Sequence, residues 1–297
     1  HTPHCRFTGE ASAHMVHQLL GPLHERRVVY SCGVGAPDPT EVPRMLARLC
    51  RAQTSSFEIR LHDFFPVSPS WNLLDDTGWF HGVPARETTQ TVHQPGGSTG
   101  ITHSEWRQSW QQLVEQAERI TVFAPSGADL FCQAYPDAIG KIVLRPHKLP
   151  RRMPGRIAPG GQSIGILGGI NRAKGGAVIE ALSRRTNRRI VVVGEMDGQF
   201  RLRKPHLVHG RYDRARITRL AKSYDIGLWL IPSICPETFS FATHEALATG
   251  LPVLGFDLGA QADALRPAPN GHVLDLGPHD TFGLAAAIET HFTNSQP

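Results

Sequence analysis

The second half of the chain alternates between short apolar runs and segments with helical spacing of apolar residues. Such runs are typical of buried strands, and they lie at 163–170, 189–195, 225–233 and 251–259, with weaker ones at 206–212 and 271–276. Helical spacing occurs between them, at 175–185, 214–224, 240–250 and 260–267. Continuously apolar strands belong to parallel sheets that are covered on both faces. This half is therefore predicted to form an open, doubly wound α/β sheet.

The first half follows the same alternation less regularly. The predicted strands are 26–35, 56–64, 119–126 and 141–147, and the predicted helices are 39–53, 104–118 and 127–136. A long segment rich in Pro, Gly and Thr separates His62 from His103. Loops of this length in compact domains are usually functional or disordered. Because the segment carries Trp71, Trp79 and Phe80, we expect a packed, functional excursion.

The length and the distribution of Pro and Gly predict two domains. A chain of 297 residues is long enough for two domains with separate cores. The segment "RPHKLPRRMPGRIAPGGQ" at 145–162 concentrates Pro, Gly and Arg between two predicted strands. We therefore predict an N-terminal domain at 1–155 and a C-terminal domain at 156–297.

Charge and cysteine content narrow the classes of protein. The formal charge is +5, from scattered arginines, and no zinc-finger, aromatic-basic or basic-helix pattern predicts binding to nucleic acid. The five cysteines are an odd number without a C-x-x-C pair, which favours a reducing, cytoplasmic setting. No apolar run approaches the roughly 18 residues that cross a bilayer, so we expect at most peripheral membrane association. The chain begins at His1, which is compatible with a part of a larger protein.

The N-terminal histidines do not predict a metal site. His1, His4 and Cys5, or His14 and His17, lack the tight paired spacing that structural zinc sites usually show. We therefore expect no metal there.

A glycine-containing turn, "LGGINRAKGG", follows the first strand of the C-terminal domain. Gly168 and Gly169 allow backbone to approach a ligand, while Arg172 and Lys174 bring positive charge just before a helix. Backbone amides and a lysine in this arrangement suit a phosphate group. The alternative is that the glycines serve only the turn.

The stretch "ICPETFSFATHEALATGLPVLGF" carries two carboxylates around a helix start. Glu237 lies in the loop after a predicted strand, and Glu245 lies more than one turn into the next helix. Two carboxylates so placed suit a ligand with hydroxyls at both ends and a diphosphate between them. The alternative is a capping glutamate followed by a solvated one.

The same stretch resembles the E-x7-E region of the retaining glycosyltransferases of family 4, which have the two-lobed GT-B fold. The matching positions are Pro236, Glu237, Phe239, Ser240, Glu245, Ala246, Ala248, Gly250, Pro252 and Val253. The resemblance implies that Glu237 faces the donor sugar and that Glu245 binds the ribose hydroxyls. It also implies that the amides around Thr238, Phe239 and Ser240 approach the sugar or the diphosphate.

Two other segments are similar to the same family. "GGINRAKGG" resembles its G-R-L-x-x-x-K-G turn, which implies that Lys174 contacts the diphosphate. The family commonly has Arg at the position of Gly169, so either Arg172 supplies that charge from a shifted position or the leaving group is stabilised more weakly. "LHDFFPVSPS" resembles the acceptor lobe of a bacterial subset, which implies that His62 and Asp63 lie on the acceptor side.

The resemblance covers roughly residues 57–276 and implies two Rossmann-like doubly wound domains facing each other, the first of them abbreviated. It implies a transferase that moves a sugar, with retention, from a nucleotide-diphosphate sugar to a saccharide or lipid-linked acceptor in bacterial surface polysaccharide synthesis. His62, Lys174 and Glu237 are the expected catalytic residues. No D-x-D motif is present, so no metal or other cofactor is expected. The expected location is the cytoplasm or the inner face of the membrane.

Three alternatives differ in what they predict. A non-catalytic nucleotide-sugar or glycan-binding module of a larger protein would bind nucleotide without transfer. A nucleotide-sugar epimerase of similar fold would form product without an acceptor. A dinucleotide oxidoreductase ranks below both, because the glycine turn lacks G-x-G-x-x-G and Glu195 is only the nearest acidic residue to the expected ribose position.

Overall fold

The computed structural model describes residues 13–36, 38–51, 54–94 and 97–294. The chain divides into two compact units whose segments alternate along the sequence. Unit 1 comprises His1–Trp71, Val83–Thr121 and Phe131–Val143, and unit 2 comprises Asn72–Gly82, Val122–Leu130 and Leu144–Pro297. A single boundary near residue 155 stays a prediction. His1, His4 and Cys5 lie outside the described residues.

The first half of the chain forms a four-stranded sheet and a separate hairpin. Its strands are β1 (Glu25–Tyr30), β2 (Thr54–Arg60), β3 (Thr89–Gln94), β4 (Gly97–Thr102), β5 (Arg119–Val122) and β6 (Ile142–Leu144). Its helices are α1 (Ala13–Leu20), α2 (Val42–Leu49), α3 (His103–Gln116) and α4 (Pro125–Ala134). The sheet has the order β1-β2-β5-β6, and both β1 and β5 run parallel to β2. All four predicted strands of this half are therefore present.

Helix α3 anchors the core of unit 1. It begins at a capping box in which the Thr102 hydroxyl accepts from the Glu105 amide and the Glu105 side chain accepts from the Thr102 amide. Its Trp106 and Trp110 are almost completely buried. The Trp110 ring meets the Tyr30 ring of β1 edge to face, with centroids 5.0 Å apart. Such pairs stabilise a core beyond simple burial of area.

The first half differs from the sequence-based expectation in two places. Helix α1 occupies a stretch in which the sequence showed no convincing secondary structure. Strands β3 and β4 pair antiparallel, from Thr89 opposite Thr102 to Gln94 opposite Gly97, inside the segment expected to be a loop. Because the sequences of both strands are mostly polar, they lack the alternation of apolar and polar residues by which a strand is recognised. Of the three aromatic residues expected to pack there, Trp71 is exposed, whereas Trp79 and Phe80 pack against the core of unit 2.

A buried carboxylate, Glu58, organises one face of the first sheet. It accepts hydrogen bonds from Arg27 Nη2 (2.8 Å), Arg119 Nη2 (2.7 Å), Arg60 Nε (3.0 Å) and Thr121 Oγ1 (3.2 Å). Burial acts to raise the pKa of Glu58, but the hydrogen bonds from Arg119, Arg60 and Arg27 outweigh it and hold that pKa well below its usual range. The charged form of Glu58 therefore stabilises the fold.

Glu58→Gln is expected to lower the free energy of unfolding at pH 7 by about 2 kcal/mol, because the guanidinium groups lose a charged acceptor. A depressed pKa stabilises the fold above the unfolded pKa of about 4.3, and this stabilisation is lost as the pH falls below it. Urea unfolding between pH 7 and pH 3 should therefore show a flatter pH dependence for Glu58→Gln than for the wild type. The exposed Glu115→Gln is the control, and equal slopes for all three proteins would contradict the role of Glu58.

The second half forms a six-stranded parallel sheet. Its strands are β7 (Ser163–Leu167), β8 (Ile190–Val193), β9 (Leu207–Val208), β10 (Ile226–Ile231), β11 (Val253–Phe256) and β12 (Gly271–Leu274). Its helices are α5 (Gly176–Leu182), α6 (Ile217–Ser223), α7 (Phe241–Ala248), α8 (Gly259–Leu265) and α9 (Thr281–Asn294). The order β12-β11-β10-β7-β8-β9 is that of a Rossmann-like sheet. The predicted α/β class and the six predicted strands of this half are confirmed; α9 was not predicted.

Burial on both faces explains why these strands are apolar without alternation. In β10, Leu228 and Leu230 pack into one core with residues of α5 and α9. Trp229 and Ile231 point to the other face and pack with residues of α6, α7 and α8. The sheet is therefore doubly wound, as predicted. Within the described part of the chain, no helix has the length and apolar character needed to span a bilayer.

Candidate functional site

The site of unit 2 lies where the strand order reverses, between β7 and β10. In open α/β sheets, ligands bind beyond the carboxyl ends of the strands at such a point. The turn 168–175 follows β7, and the loop 232–240 follows β10. The two segments are in contact, because the Ile234 amide donates to the Ala173 carbonyl at 3.0 Å.

Gly175 makes this close approach possible. Its φ of +80° lies in the left-handed region, and a Cβ built on it would lie 2.0 Å from the Pro232 carbonyl oxygen. A side chain at this position would therefore push the two segments apart. The adjacent residue, Lys174, is held by an amide hydrogen bond to Asn171 Oδ1 at 3.0 Å.

Lys174 and Glu237 form an ion pair between Nζ and Oε2. The other carboxylate oxygen of Glu237 accepts a hydrogen bond from Ser233 Oγ at 2.6 Å. The backbone amide of Glu237 donates to Gln261 Oε1 at 3.1 Å, and Gln261 Nε2 in turn donates to the Cys235 carbonyl at 2.9 Å. Since Gln261 is completely buried, its two hydrogen bonds to the backbone fix the loop that carries Glu237 to the interior of unit 2.

Glu245 lies on the inner side of α7 and is 3% exposed. Its Oε1 accepts from Arg214 Nε, which comes from the 3₁₀ turn Arg214–Arg216 after β9. Asp213 caps that turn, with Oδ1 accepting from the Ala215 amide at 3.0 Å. Burial, followed by the negative charge of Glu245, raises the pKa of the neighbouring Tyr212 to about 12. Glu245 and Arg214 therefore form a second ion pair beside a neutral phenol.

These groups surround one cavity of about 300 Å³ in unit 2. Its lining residues are Leu167, Gly168, Gly169, Ile170, Lys174, Tyr212, Arg214, Ile231, Pro232, Ser233, Glu237, Phe239, Phe241, Ala242 and Glu245. Two cations and two carboxylates thus meet in a cavity with glycine backbone on one side. This combination can bind an anionic group and hydroxyl groups together.

Most of the predicted donor-side residues reach this cavity. Gly168, Gly169, Lys174, Glu237, Phe239 and Glu245 are in its lining. The other three predicted residues, Arg172, Thr238 and Ser240, are outside it. Ser240 is buried, and its Oγ accepts from Thr243 Oγ1 at 2.8 Å. The roles assigned to all of these residues stay predictions.

Arg172 turns toward another segment of unit 2. Its Nη2 donates to the Thr77 carbonyl at 2.9 Å, and its guanidinium packs on Gly78, where an added Cβ would lie 2.3 Å from Nη2. Arg214 is the arginine that lines the cavity, and it was not among the site residues predicted from the sequence. The one feature of the sequence that could have indicated Arg214 is its place as a charged residue after the weakly predicted strand β9. Its partner Glu245 lies 31 positions away.

The predicted acceptor-side residues, His62 and Asp63, belong to unit 1. His62 follows β2, and its Nδ1 lies 3.1 Å from both the Oγ and the carbonyl oxygen of Ser31, which follows β1. Both residues therefore lie at the carboxyl edge of the first sheet, as expected for a residue near a ligand. The role of His62 stays a prediction.

Asp63 is 1% exposed and satisfies three donors. Oδ1 accepts from the Tyr30 hydroxyl at 2.6 Å and from the Phe65 amide at 3.1 Å, and Oδ2 accepts from the Gly33 amide at 2.6 Å. Burial, and then the charge of Asp63, raise the pKa of Tyr30 far above its usual range. These contacts fix the loops after β1 and β2; contact of Asp63 with an acceptor stays a prediction.

Across the described ranges, no group of three or more His, Cys, Asp and Glu side chains could hold a metal ion. Metal-independent chemistry nevertheless stays a prediction, since the sequence motif alone suggested it.

No protein-family model and no curated protein sequence matches the chain. Solved structures resemble it at low identity. Sucrose-phosphate synthase from Thermosynechococcus elongatus superposes with a TM-score of 0.64 at 15% identity, over 95% of this chain and 68% of that one. HepE from Anabaena, solved in complex with UDP-glucose, gives 0.60 at 13% identity, over 96% and 73%.

The lipopolysaccharide outer core galactosyltransferase WaaB, in its apo form, gives a TM-score of 0.56 at 11% identity, over 96% of this chain and 71% of that one. At these identities the likeness concerns the arrangement of strands and helices. The chain therefore has the α/β fold of the GT-B glycosyltransferases.

Proposed function

We propose that this protein is a retaining glycosyltransferase that moves a sugar from a nucleotide-diphosphate sugar to a saccharide or lipid-linked acceptor. The observation that carries the proposal is the cavity of unit 2, where Lys174, Arg214, Glu237 and Glu245 converge at the switch point of the sheet. Cations suit a diphosphate, and carboxylates suit the hydroxyls of a ribose and of a second sugar. The chain spans about 70% of the length of HepE, solved with UDP-glucose, and of the galactosyltransferase WaaB, whose fold it shares.

The difficult step is departure of the nucleoside diphosphate, because negative charge develops on its β-phosphate. Lys174 stabilises that charge electrostatically, and Arg214 adds a second cation in the same cavity. Glu237 is fixed by Ser233 Oγ and by Gln261, so it can hold the hydroxyls of the transferred sugar in one orientation. That departure of the leaving group needs no metal ion is part of the proposal and rests on the absence of a D-x-D motif.

The other parts of the proposal rest on the sequence resemblance to family 4 and its E-x7-E pattern. Glu245 binds the ribose hydroxyls, and the amides of 238–240 approach the sugar or the diphosphate. His62 and Asp63 act on the acceptor side. The proposed setting is bacterial surface polysaccharide synthesis, in the cytoplasm or at the inner face of the membrane.

A second candidate is a nucleotide-sugar-binding module without transferase activity. Gly169 offers no cation where family 4 commonly has Arg, and Arg172 is engaged with Thr77 rather than with the cavity. The leaving group would then be stabilised by Lys174 and Arg214 alone. This candidate predicts binding of the donor without release of nucleoside diphosphate.

Thermal shift with UDP, GDP, dTDP, ADP and their common sugar conjugates tests the proposal first. A ligand that binds only the native protein raises its melting temperature. At a ligand concentration of 100 times Kd, it adds about 2.7 kcal/mol to the free energy of unfolding. We expect one base to give a selective shift. Glu245→Ala is expected to weaken that binding by about ten- to a hundredfold, because hydrogen bonds to a buried carboxylate are lost.

The matched control is Glu180→Ala on α5, whose carboxylate pairs with Arg184 away from the cavity lining. It should bind as the wild type does. If Glu245→Ala also binds as the wild type does, the ribose role is wrong. If no nucleotide shifts the folded wild type, the donor proposal is wrong as a whole. Release of nucleoside diphosphate in the presence of acceptor then separates the transferase from the binding module.

A further inference from the structure

One wall of the cavity is aromatic. Phe239 and Phe241 both line it, and Phe241 is 40% exposed although its side chain is large and apolar. The two rings meet edge to face, at an interplanar angle of 70° with centroids 4.9 Å apart. We call Phe239 and Phe241 the aromatic corner.

Further rings of unit 2 pack against the aromatic corner. His147 contacts Phe239 at 5.0 Å between centroids and Phe241 at 5.7 Å, and it stacks on Phe123 at 4.0 Å. His244, on α7, also stacks on Phe239, with centroids 5.0 Å apart. Rings packed in this way lose little conformational entropy on contact with a ligand, so the aromatic corner is a preformed surface.

The opposite character of the remaining lining identifies what such a surface suits. Lys174, Glu237 and Ser233 present charged and polar groups in the same cavity, and Glu237 precedes Phe239 by two residues. A hexopyranose has hydroxyls around its edge and C–H groups on its faces. A cavity lined by carboxylate, ammonium and aromatic groups matches both parts of such a ring.

We propose that the aromatic corner binds the C–H face of the sugar that the donor carries, and that Phe241 therefore favours a hexopyranosyl nucleotide over the nucleotide alone. This inference rests on the proposed function. A nucleobase also stacks on aromatic rings, but it needs one free flat face. In the aromatic corner the edge of one ring packs against the face of the other, and His244 stacks on Phe239, so part of the flat ring surface is already covered. The cavity has another aromatic side chain, Tyr212, beside Glu245.

The test compares Phe241→Ala with Phe282→Ala. Phe282 lies on α9 of the same unit, is 72% exposed and is outside the cavity lining. Calorimetric titration with UDP and UDP-glucose, and in parallel with GDP and GDP-mannose, gives the Kd of nucleotide and conjugate for each protein. We expect Phe241→Ala to raise the Kd of the conjugate by about five- to tenfold and to change the Kd of the nucleotide by less than about twofold. Phe282→Ala should leave both unchanged.

Each other outcome overturns a distinct statement. If Phe241→Ala leaves the conjugate unchanged, the aromatic corner does not contact the sugar. If nucleotide and conjugate weaken together while the melting temperature stays that of the wild type, the corner holds the base. If the melting temperature of Phe241→Ala falls below that of the wild type, Phe241→Leu is tested in its place. That variant must then also bind the conjugate more weakly while it binds the nucleotide as the wild type does. If the wild type binds neither pair and also gives no thermal shift with dTDP, ADP or their sugar conjugates, the proposed function fails first.

Discussion

Lys174→Ala is expected to lower kcat by about a hundred- to a thousandfold, the usual cost of removing one group that stabilises developing negative charge. Lys174 is the cation of the turn after β7, and its Nζ reaches the cavity beside Glu237. A positive charge that stabilises the transition state more than the bound donor raises kcat, whereas one that stabilises both equally only tightens binding. We therefore expect KM to change less than kcat.

Steady-state release of nucleoside diphosphate measures this, once the donor is known from thermal shift. Lys148→Ala, at an exposed position, controls for loss of one positive charge from the surface. Lys174→Arg keeps the charge but changes its shape and should recover part of the rate. A kcat for Lys174→Ala within threefold of the wild type would show that the lysine pairs with Glu237 for structural reasons only.

Gly175→Ala is expected to lower the free energy of unfolding by about 2–5 kcal/mol, the sum of a left-handed backbone cost and of overpacking. The added Cβ would lie 2.0 Å from the Pro232 carbonyl oxygen, which cannot move without the loop that carries Ser233 and Glu237. The change therefore strains the two segments that form the cavity. Nucleotide binding should weaken together with stability.

Gly169→Ala is the matched control for this loss. It lies in the same turn, has no left-handed φ, and an added Cβ there meets no atom within 4 Å. We expect its free energy of unfolding to stay within about 0.5 kcal/mol of the wild type. Urea unfolding followed by circular dichroism measures both variants. Equal stability of Gly175→Ala and Gly169→Ala would contradict the close approach seen at Gly175.

Burial decided how much of the fold was readable from the sequence. The strands of the second sheet are apolar on both faces, so their runs stand out, and the helices between them follow. Hairpin β3–β4 is polar, and its register depends on backbone pairing that leaves no periodic pattern. Helix α9 buries Leu284, Ile288 and Phe292 one turn apart, but small residues between them weaken its contrast with a loop.

The cavity shows the same division between local and distant signals. Lys174, Glu237 and Glu245 lie in the turn, loop and helix that follow apolar strands, so the rule for open sheets predicts from the sequence that they share one edge. Arg214 could not be placed in this way, because it follows a strand of two residues and meets Glu245 through the order of the sheet. Arg172 turns away from the cavity that Lys174 lines, since Gly78 gives it room to bind Thr77 instead.

The alternation of the chain between its units restricts how this protein can be divided or recombined. Leu74 belongs to the core of unit 2, and Trp79 and Phe80 pack against it, yet all three come more than 80 residues before the six-stranded sheet begins at Ser163. A gene fragment that starts at residue 156 would leave these side chains behind and expose apolar surface. An exchange of unit 2 between related proteins must therefore transfer 72–82 and 122–130 together with 144–297.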